Sequence, residues 1–410
     1  MNSKSKKGLN ACDVYIGLGI IYYLQGVLYP PGIIAQAIQL GLILWGIIVT
    51  VPMIGNFKNL PVILKAVTLL MIMYSIYGAG EIFFPSHITY GFGTHDEISS
   101  HVYLQSALNS LLPFLVLYLF YKKGELTAQR MRTYFFMFAA LAIVRYFQNL
   151  NELLLAAKKR GSDAEEFTNN IGYQFLNLFP FVFFFKNKTS RYTIVALILF
   201  ALLICMKRGA ILIGALCAAW FLMAEIRFSR KTSSKIFAII LGFAVIIGAI
   251  WYVEYLMANS DYFMARINQT LEGKSSHRDV LYSLILDEII KDPSPLHLLF
   301  GRGANSTVAI SGNYAHQDWL ELMANNGLLG VILGAFFYGS LFYTAHRYKK
   351  TLGPDFYTCF LMASAILFVK TMFSMSIYQM SVTSIIPIAY LMAYAHARRL
   401  SKITHTAITT

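Results

Sequence analysis

Apolar windows of roughly 18 residues or more recur from one end of this sequence to the other. That recurrence constrains the fold more than any single residue does. A hydrocarbon core about 30 Å thick is crossed by roughly 20 residues of α-helix. Within it, every backbone N–H and C=O must be satisfied by the protein itself, and long unbroken apolar windows can do this only as helices. Charged residues make up 13% of the chain, against about 25% in soluble domains. The sequence therefore predicts an all-α, polytopic integral membrane protein, one integral domain over 1–410 with about 12 transmembrane helices. The expected spans are 12–30, 33–54, 61–80, 102–121, 133–149, 171–186, 192–206, 209–226, 236–257, 317–344, 355–375 and 378–396.

The net charge of +14 could suggest a nucleic-acid partner, but its distribution does not. With the N-terminus on the cytoplasmic side, the inner loops receive Lys4, Lys58, Lys122, Arg191, Arg227, Arg347 and Arg398 together with their basic neighbours. The outer segments hold fewer cations, among them Lys158, Lys207, Arg208, Arg266, Arg278 and Arg302. This follows the positive-inside rule and predicts cytoplasmic N- and C-termini. The charge is topological, so nucleic acid is not an expected partner and membrane lipids are. No small-residue cleavage site follows the first apolar run, so it is expected to stay as a span. Four cysteines in or beside apolar spans form no disulfide framework and no metal-type spacing.

The largest outer segment, 258–316, lies between helices 9 and 10. Inside it, Asp279 to Lys291 places apolar residues at 281, 284, 285 and 289, a helical period with one apolar face. Ser275 and Ser276 offer capping hydroxyls, and Asp292-Pro293 stops the helix. A short amphipathic helix is predicted, lying on the outer membrane face or on the bundle. With no internal repeat and its polarity gathered in one off-centre loop, the chain is unlike transporters built from two related halves.

Several polar residues stand out. Lys207-Arg208-Gly209 makes a very short outer turn between two spans, and a guanidinium at membrane depth usually has a partner or a role. The alternative for Lys207 and Arg208 is snorkelling to headgroups. Gly301-Arg302-Gly303 allows a tight turn with close backbone approach to a ligand. His316 begins an apolar helix, where the positive N-terminus and nearby arginines favour a neutral ring able to accept a proton. Arg145, near the outer end of its span, could face a ligand or pair with Glu152. Lys370 is an intramembrane cation, and Glu321 could orient His316 or cap its helix. His87, His95 and His101 with Asp96 and Glu97 match no metal-binding spacing, so a solvated loop is expected there. Gly330 and Gly334 form a GxxxG pair suited to close helix packing.

The run His316-Gln317-Asp318-Trp319-Leu320-Glu321, followed by Asn326-Gly327-Leu328-Leu329-Gly330, resembles the signature of the O-antigen ligase and polymerase superfamily. Lys207-Arg208-Gly209, Ser276-His277-Arg278 and Gly301-Arg302-Gly303 resemble three further elements of that family. Gln317, His277 and Tyr282 depart from its commonest residues. The resemblance implies a GT-C-type glycosyltransferase of the bacterial inner membrane, multi-pass, with its active site and the 258–316 loop facing the periplasm. Its donor would be an oligosaccharide on undecaprenyl diphosphate and its acceptor another glycan or lipid A-core, with a chain-length regulator or flippase as protein partners.

On that resemblance, Arg208 and Arg278 would bind and stabilise the departing diphosphate, bidentate arginines doing so without a metal. His316 would take the acceptor hydroxyl's proton, with inversion at C1. Arg302, Lys207, Gly301, Gly303, Arg145, Lys370 and Glu321 complete the expected substrate-binding set, and neither cofactor nor metal is expected. A repeat-unit polymerase is favoured over an O-antigen ligase only because polymerases are the more numerous members. A transporter or flippase of lipid-linked sugars is the competing class.

Overall fold

The computed structural model describes residues 9–28, 32–84, 101–151, 170–205, 207–228, 232–259, 278–372 and 380–409, with isolated positions besides. Among these the regular structure is helical and contains no strand. In chain order the helices are α1 (Ala11–Leu28), α2 (Ile33–Ile54), α3 (Val62–Phe83), α4 (Val102–Lys122), α5 (Ala128–Gln148), α6 (Ile171–Leu176), α7 (Lys188–Ile204) and α8 (Arg208–Phe228). They continue as α9 (Thr232–Asn259), α10 (Arg278–Lys291), α11 (Pro295–Phe300), α12 (Ser306–Ser311), α13 (Asp318–Arg347), α14 (Lys349–Lys370) and α15 (Val382–Thr409). Among the described residues, six helices are long and apolar enough to cross a membrane: α2, α3, α4, α8, α13 and α14. The window at 171–186 is not one continuous helix. It divides into α6 and a 3₁₀ turn over Phe179–Phe184, because Pro180 has no N–H to give to an α-helical ladder.

The chain forms two compact units, one of residues 1–127, 280–352 and 367–410, the other of 128–279 and 353–366. In the first, α4 is the central helix, with α1, α2, α3 and α15 packed on it. Its Tyr103, Leu111, Phe114, Leu115, Val116 and Leu117 are wholly buried. In the second, α7, α8 and α9 pack in sequence, and an ion network centred on the buried Arg191 links α7 to α8. Arg191 gives Nε–H to the Phe185 carbonyl at 2.6 Å, Nη1–H to Glu225 at 3.2 Å and Nη2–H to Asp355 at 2.6 Å. Lys188 reaches the same Glu225 at 2.8 Å. A buried guanidinium is tolerable only with this degree of pairing.

The least expected feature lies inside α13. Gly327 has φ 62° and ψ −157°, which no helix contains, and the chain reverses there. Trp319 and Tyr338 have ring centroids 6.0 Å apart, whereas 19 residues of straight helix would separate them by about 28 Å. A Cβ on Gly334 would lie 2.7 Å from Leu322 and 3.8 Å from Trp319. The GxxxG glycines therefore accept the first arm of their own helix, Asp318 to Asn326, folded back on the second.

α10 runs from Arg278 to Lys291 as a helix and stops before Asp292-Pro293. It packs on protein: Leu281 and Ile285 are buried, and Ile285 joins Ala315 and Ala324 in a small core flanked by Tyr282, Ile289, Ile310 and Leu320. Leu284, expected on the apolar face, is instead 46% exposed. Tyr282 takes its place, so the buried face is rotated by part of a turn. The capping serines Ser275 and Ser276 lie outside the described residues.

Two glycine substitutions separate backbone conformation from close packing. Gly327→Ala adds the cost of a left-handed residue, about 1–2 kcal/mol, to an overlap with the Gly301 nitrogen at 2.5 Å. Gly353, with φ 72°, has nothing within 4 Å of an added Cβ, so Gly353→Ala bears the conformational term alone. Thermal unfolding of the detergent-solubilised protein should show a large drop for Gly327→Ala and a small one for Gly353→Ala; equal drops would refute the reversal.

Candidate functional site

The reversal at Gly327 organises the turn that carries His316. A break in a helix frees carbonyls that must find new donors. Here Arg302 gives its backbone N–H to Ala324 O at 2.9 Å, and Gly303 gives its own to Asn325 O at 3.1 Å. This docking requires Gly301, at φ 74°, because a Cβ there would fall 2.4 Å from the Asn325 carbonyl carbon and the Asn326 nitrogen. Two tyrosines secure the joint: Tyr77 donates to the Phe300 carbonyl, and Tyr103 to Asn326 Oδ1 at 3.1 Å. Gly301 and Gly303 were expected to bring backbone close to a ligand. The backbone that Gly301 approaches is that of the broken helix.

His316 lies at φ 54°, a left-handed conformation uncommon outside glycine, which asparagine, aspartate and histidine adopt more readily than most. Both of its flanks are held by buried carboxylates. On one side Glu321, 3% exposed, accepts the Ala315 N–H at 2.6 Å, the Thr307 hydroxyl at 2.6 Å and Asn325 Nδ2 at 3.3 Å. On the other, Gln317 caps α13 through its side chain to the Leu320 N–H at 3.0 Å. Asp318 accepts the Ile377 N–H at 2.9 Å and gives its own N–H to Thr371 O at 3.0 Å. Trp319 Nε1–H reaches Thr371 Oγ1 at 3.0 Å. Lys370, the last residue of α14, feels the charge of Asp318 and so belongs to the same constellation. The carboxylates build the turn, and the half-buried imidazole is what the turn presents. Close by in sequence, both amide atoms of Asn305 and the Nδ2 of Asn326 are buried without a protein partner.

Arg302 is engaged within the protein. Its Nε and Nη2 donate to Asp292 at 3.0 and 2.7 Å, and its Nη1 to Glu288 at 2.6 Å. His297 Nδ1 meets the same Asp292 at 2.6 Å. This strap ties α10 to the glycine turn, and a diphosphate would have to compete with two carboxylates for the guanidinium. The Ser294 backbone N–H, then His297 and Arg302, hold the Asp292 carboxyl down at about 2.

A second cluster forms in the other unit. Lys207 Nζ lies 5.9 Å from the centre of the Tyr173 ring. A Cβ on Gly209 would sit 2.5 Å from the Tyr173 hydroxyl oxygen, and the Arg278 charge acts on the same phenol. Tyr173 thus gathers the 207–209 turn and Arg278, which are about seventy residues apart in sequence. Arg208 opens α8, with its side chain outside the described set. Arg145 is half-buried in the last turn of α5, and its neighbour Tyr146 lies within electrostatic reach of Cys205 at the foot of the same turn. Glu152, its suggested partner, and His87, His95, Asp96 and Glu97 are outside the described residues.

No protein-family model matches the chain, and no curated protein does. The residues gathered here are therefore read on their own chemistry. Tyr173, Asn305, Thr307, Asn325 and Thr371 were not singled out from sequence. For Asn325-Asn326-Gly327 the signal was present, an Asn-Gly pair inside an apolar window being a turn dipeptide.

The Arg302 strap has a defined pH signature. A carboxyl depressed on folding stabilises above its unfolded pKa of about 4 and loses that contribution as pH falls toward about 2. Wild type should unfold at higher temperature than Asp292→Asn at pH 7, with the difference shrinking between about pH 4 and 2. A gap that persists undiminished down to about pH 2 would refute the strap.

Proposed function

We propose that this protein transfers a glycan from a polyprenyl-diphosphate-linked donor to an acceptor hydroxyl at the outer face of a bacterial inner membrane. A repeat-unit polymerase of the O-antigen ligase and polymerase superfamily is the form favoured, with ligation to lipid A-core as the alternative. The observation that carries the reading is the convergence of Lys207, Gly209 and Arg278 on Tyr173. Cations assembled from distant segments at the head of an apolar helix suit a ligand that is doubly phosphorylated and lipid-borne. In this reading Arg208 and Arg278 take the charge that grows on the diphosphate as the C1–O bond breaks and the bonding pair leaves with oxygen. The acceptor oxygen forms the new bond to C1 from the opposite face. Its proton passes to His316, whose backbone is held on either side by the Glu321 and Asp318 contacts.

The broken helix at Gly327 favours one other reading, since discontinuous helices build the ion and substrate sites of transporters. Its freed carbonyls at Ala324 and Asn325, however, already accept the 302–303 amides, which suits a scaffold better than an ion site.

Purified protein supplied with a polyprenyl-diphosphate-linked glycan, without any gradient, should elongate or transfer it. His316→Ala should lower kcat by about 10²–10⁴ while donor binding persists. Arg208→Ala and Arg278→Ala should each cost about 10²–10³. Unchanged turnover in both arginine variants would sink the proposal. Deleting the gene separates the two forms: single-repeat chains on lipid A-core identify the polymerase, and glycan stranded on its lipid carrier identifies the ligase.

A further inference from the structure

A cavity of about 620 Å³ lies in the first unit where α2 and α4 end and α15 passes, and no described residue of either cluster lines it. Its volume is that of a small-molecule site, roughly 300–1,000 Å³. We propose that it binds the phosphate of an anionic membrane lipid whose acyl chains lie along α2.

The polar side of the cavity is made of donors. Asn59 Nδ2–H donates to Asn56 Oδ1 at 2.8 Å, which occupies that oxygen and leaves the Asn56 N–H groups for a ligand. Tyr118 Oη and His396 Nδ1 are 2.8 Å apart. With the phenol as donor, the imidazole proton sits on Nε2, a further N–H on the cavity wall. The Lys122 ammonium lies over the Tyr118 ring at 5.8 Å, at the exposed rim, and Lys58 stands between the two asparagines in the chain. None of the described lining residues is acidic. Glu125, the acid nearest Lys122 in sequence, accepts the Cys12 N–H at 3.1 Å. Amide donors, an imidazole N–H and an ammonium around one cavity select an anion with several acceptor oxygens, and phosphate is the common one.

The apolar side indicates that the phosphate belongs to a lipid. Pro52 and Met53 of α2 complete the wall, and α2 is the least buried of the six candidate spans. Leu44, Ile48 and Val51 are exposed along it, Ile48 by 71%, and they lead to the cavity mouth. A soluble phosphate would use the donors and leave this stripe bare. A phospholipid uses both, in the manner of basic pockets between membrane helices that hold anionic headgroups.

The test uses the full-length protein in detergent, with phosphatidylglycerol, phosphatidylcholine or inorganic phosphate added, read by native mass spectrometry and thermal unfolding. Wild type should retain phosphatidylglycerol and be stabilised by it more than by phosphatidylcholine or phosphate. Lys122→Gln should weaken retention about fivefold, the value of roughly one cation near a lipid phosphate. Asn59→Leu should weaken it too, and Lys122→Arg should preserve it. Lys123→Gln, one residue outside the lining, controls for general surface charge and should behave as wild type. The proposal is overturned if Lys122→Gln retains phosphatidylglycerol fully, if Lys123→Gln weakens it as much, or if phosphatidylcholine protects equally. Equal protection by inorganic phosphate would overturn the lipid assignment. A misfolded variant is recognised by its lower unfolding temperature without any lipid, and Lys122→Arg against Lys122→Gln then decides alone.

Discussion

Backbone polarity in a medium that cannot solvate it is the constraint behind the first unit. Once the chain reverses at Gly327, the carbonyls of Ala324 and Asn325 lose their helical donors, and in an apolar setting each orphan would cost several kcal/mol. The amides of Arg302 and Gly303 supply the replacement. The neighbouring contacts reinforce that exchange. Gly301 must lack a Cβ for the strands of backbone to meet, Tyr77 and Tyr103 fasten the joint, and the arm from Asp318 to Asn326 lies against Gly330 and Gly334. The turn bearing His316 is suspended between this joint and the contacts to Thr371 and Ile377.

The helical class was legible because its signal is summed over long windows, and a window of twenty apolar residues has few other solutions. α10 was legible to within one residue for the same reason at smaller scale, together with the stop at Asp292-Pro293. The direction of its buried face was less so: Leu284 and Tyr282 are two residues apart, and only the position of Ala315 and Ala324 decides which of them is covered. The break at Pro180 was missed, since the apolar window 171–186 reads as one span although a proline carries the signal. The reversal at Gly327 was hidden by its surroundings, because Leu328 to Phe337 is so apolar that Asn-Gly reads as a blemish in one long helix. At the site, residue types were legible and partners were not. Arg302 and Glu321 look like ligand-binding groups in one dimension, and only the fold reveals that Asp292, Glu288, Thr307 and Ala315 already occupy them.

The two clusters differ in kind. Around His316 the charged groups are consumed by structure: Glu321 and Asp318 accept backbone N–H bonds, and Arg302 ties two helices. Around Tyr173 an aromatic ring meets cations from separate segments: the Lys207 ammonium lies over it and the Arg278 charge acts on its phenol. The Arg191 network, by contrast, sets one buried guanidinium between two carboxylates.

The meeting of Gly301 with Gly327 has a consequence for how such a chain can diversify. Gly301 clears the Asn325–Asn326 backbone and Gly327 clears that of Leu299 to Gly301, so the pair behaves as a single clasp, and neither position can drift alone. Between them the segment that carries Asn305, Thr307 and His316 is closed at both ends by the same joint. Loop closure depends only weakly on the length enclosed. Exposed side chains of that segment, unlike Thr307 which holds Glu321, can therefore change while the frame stays fixed.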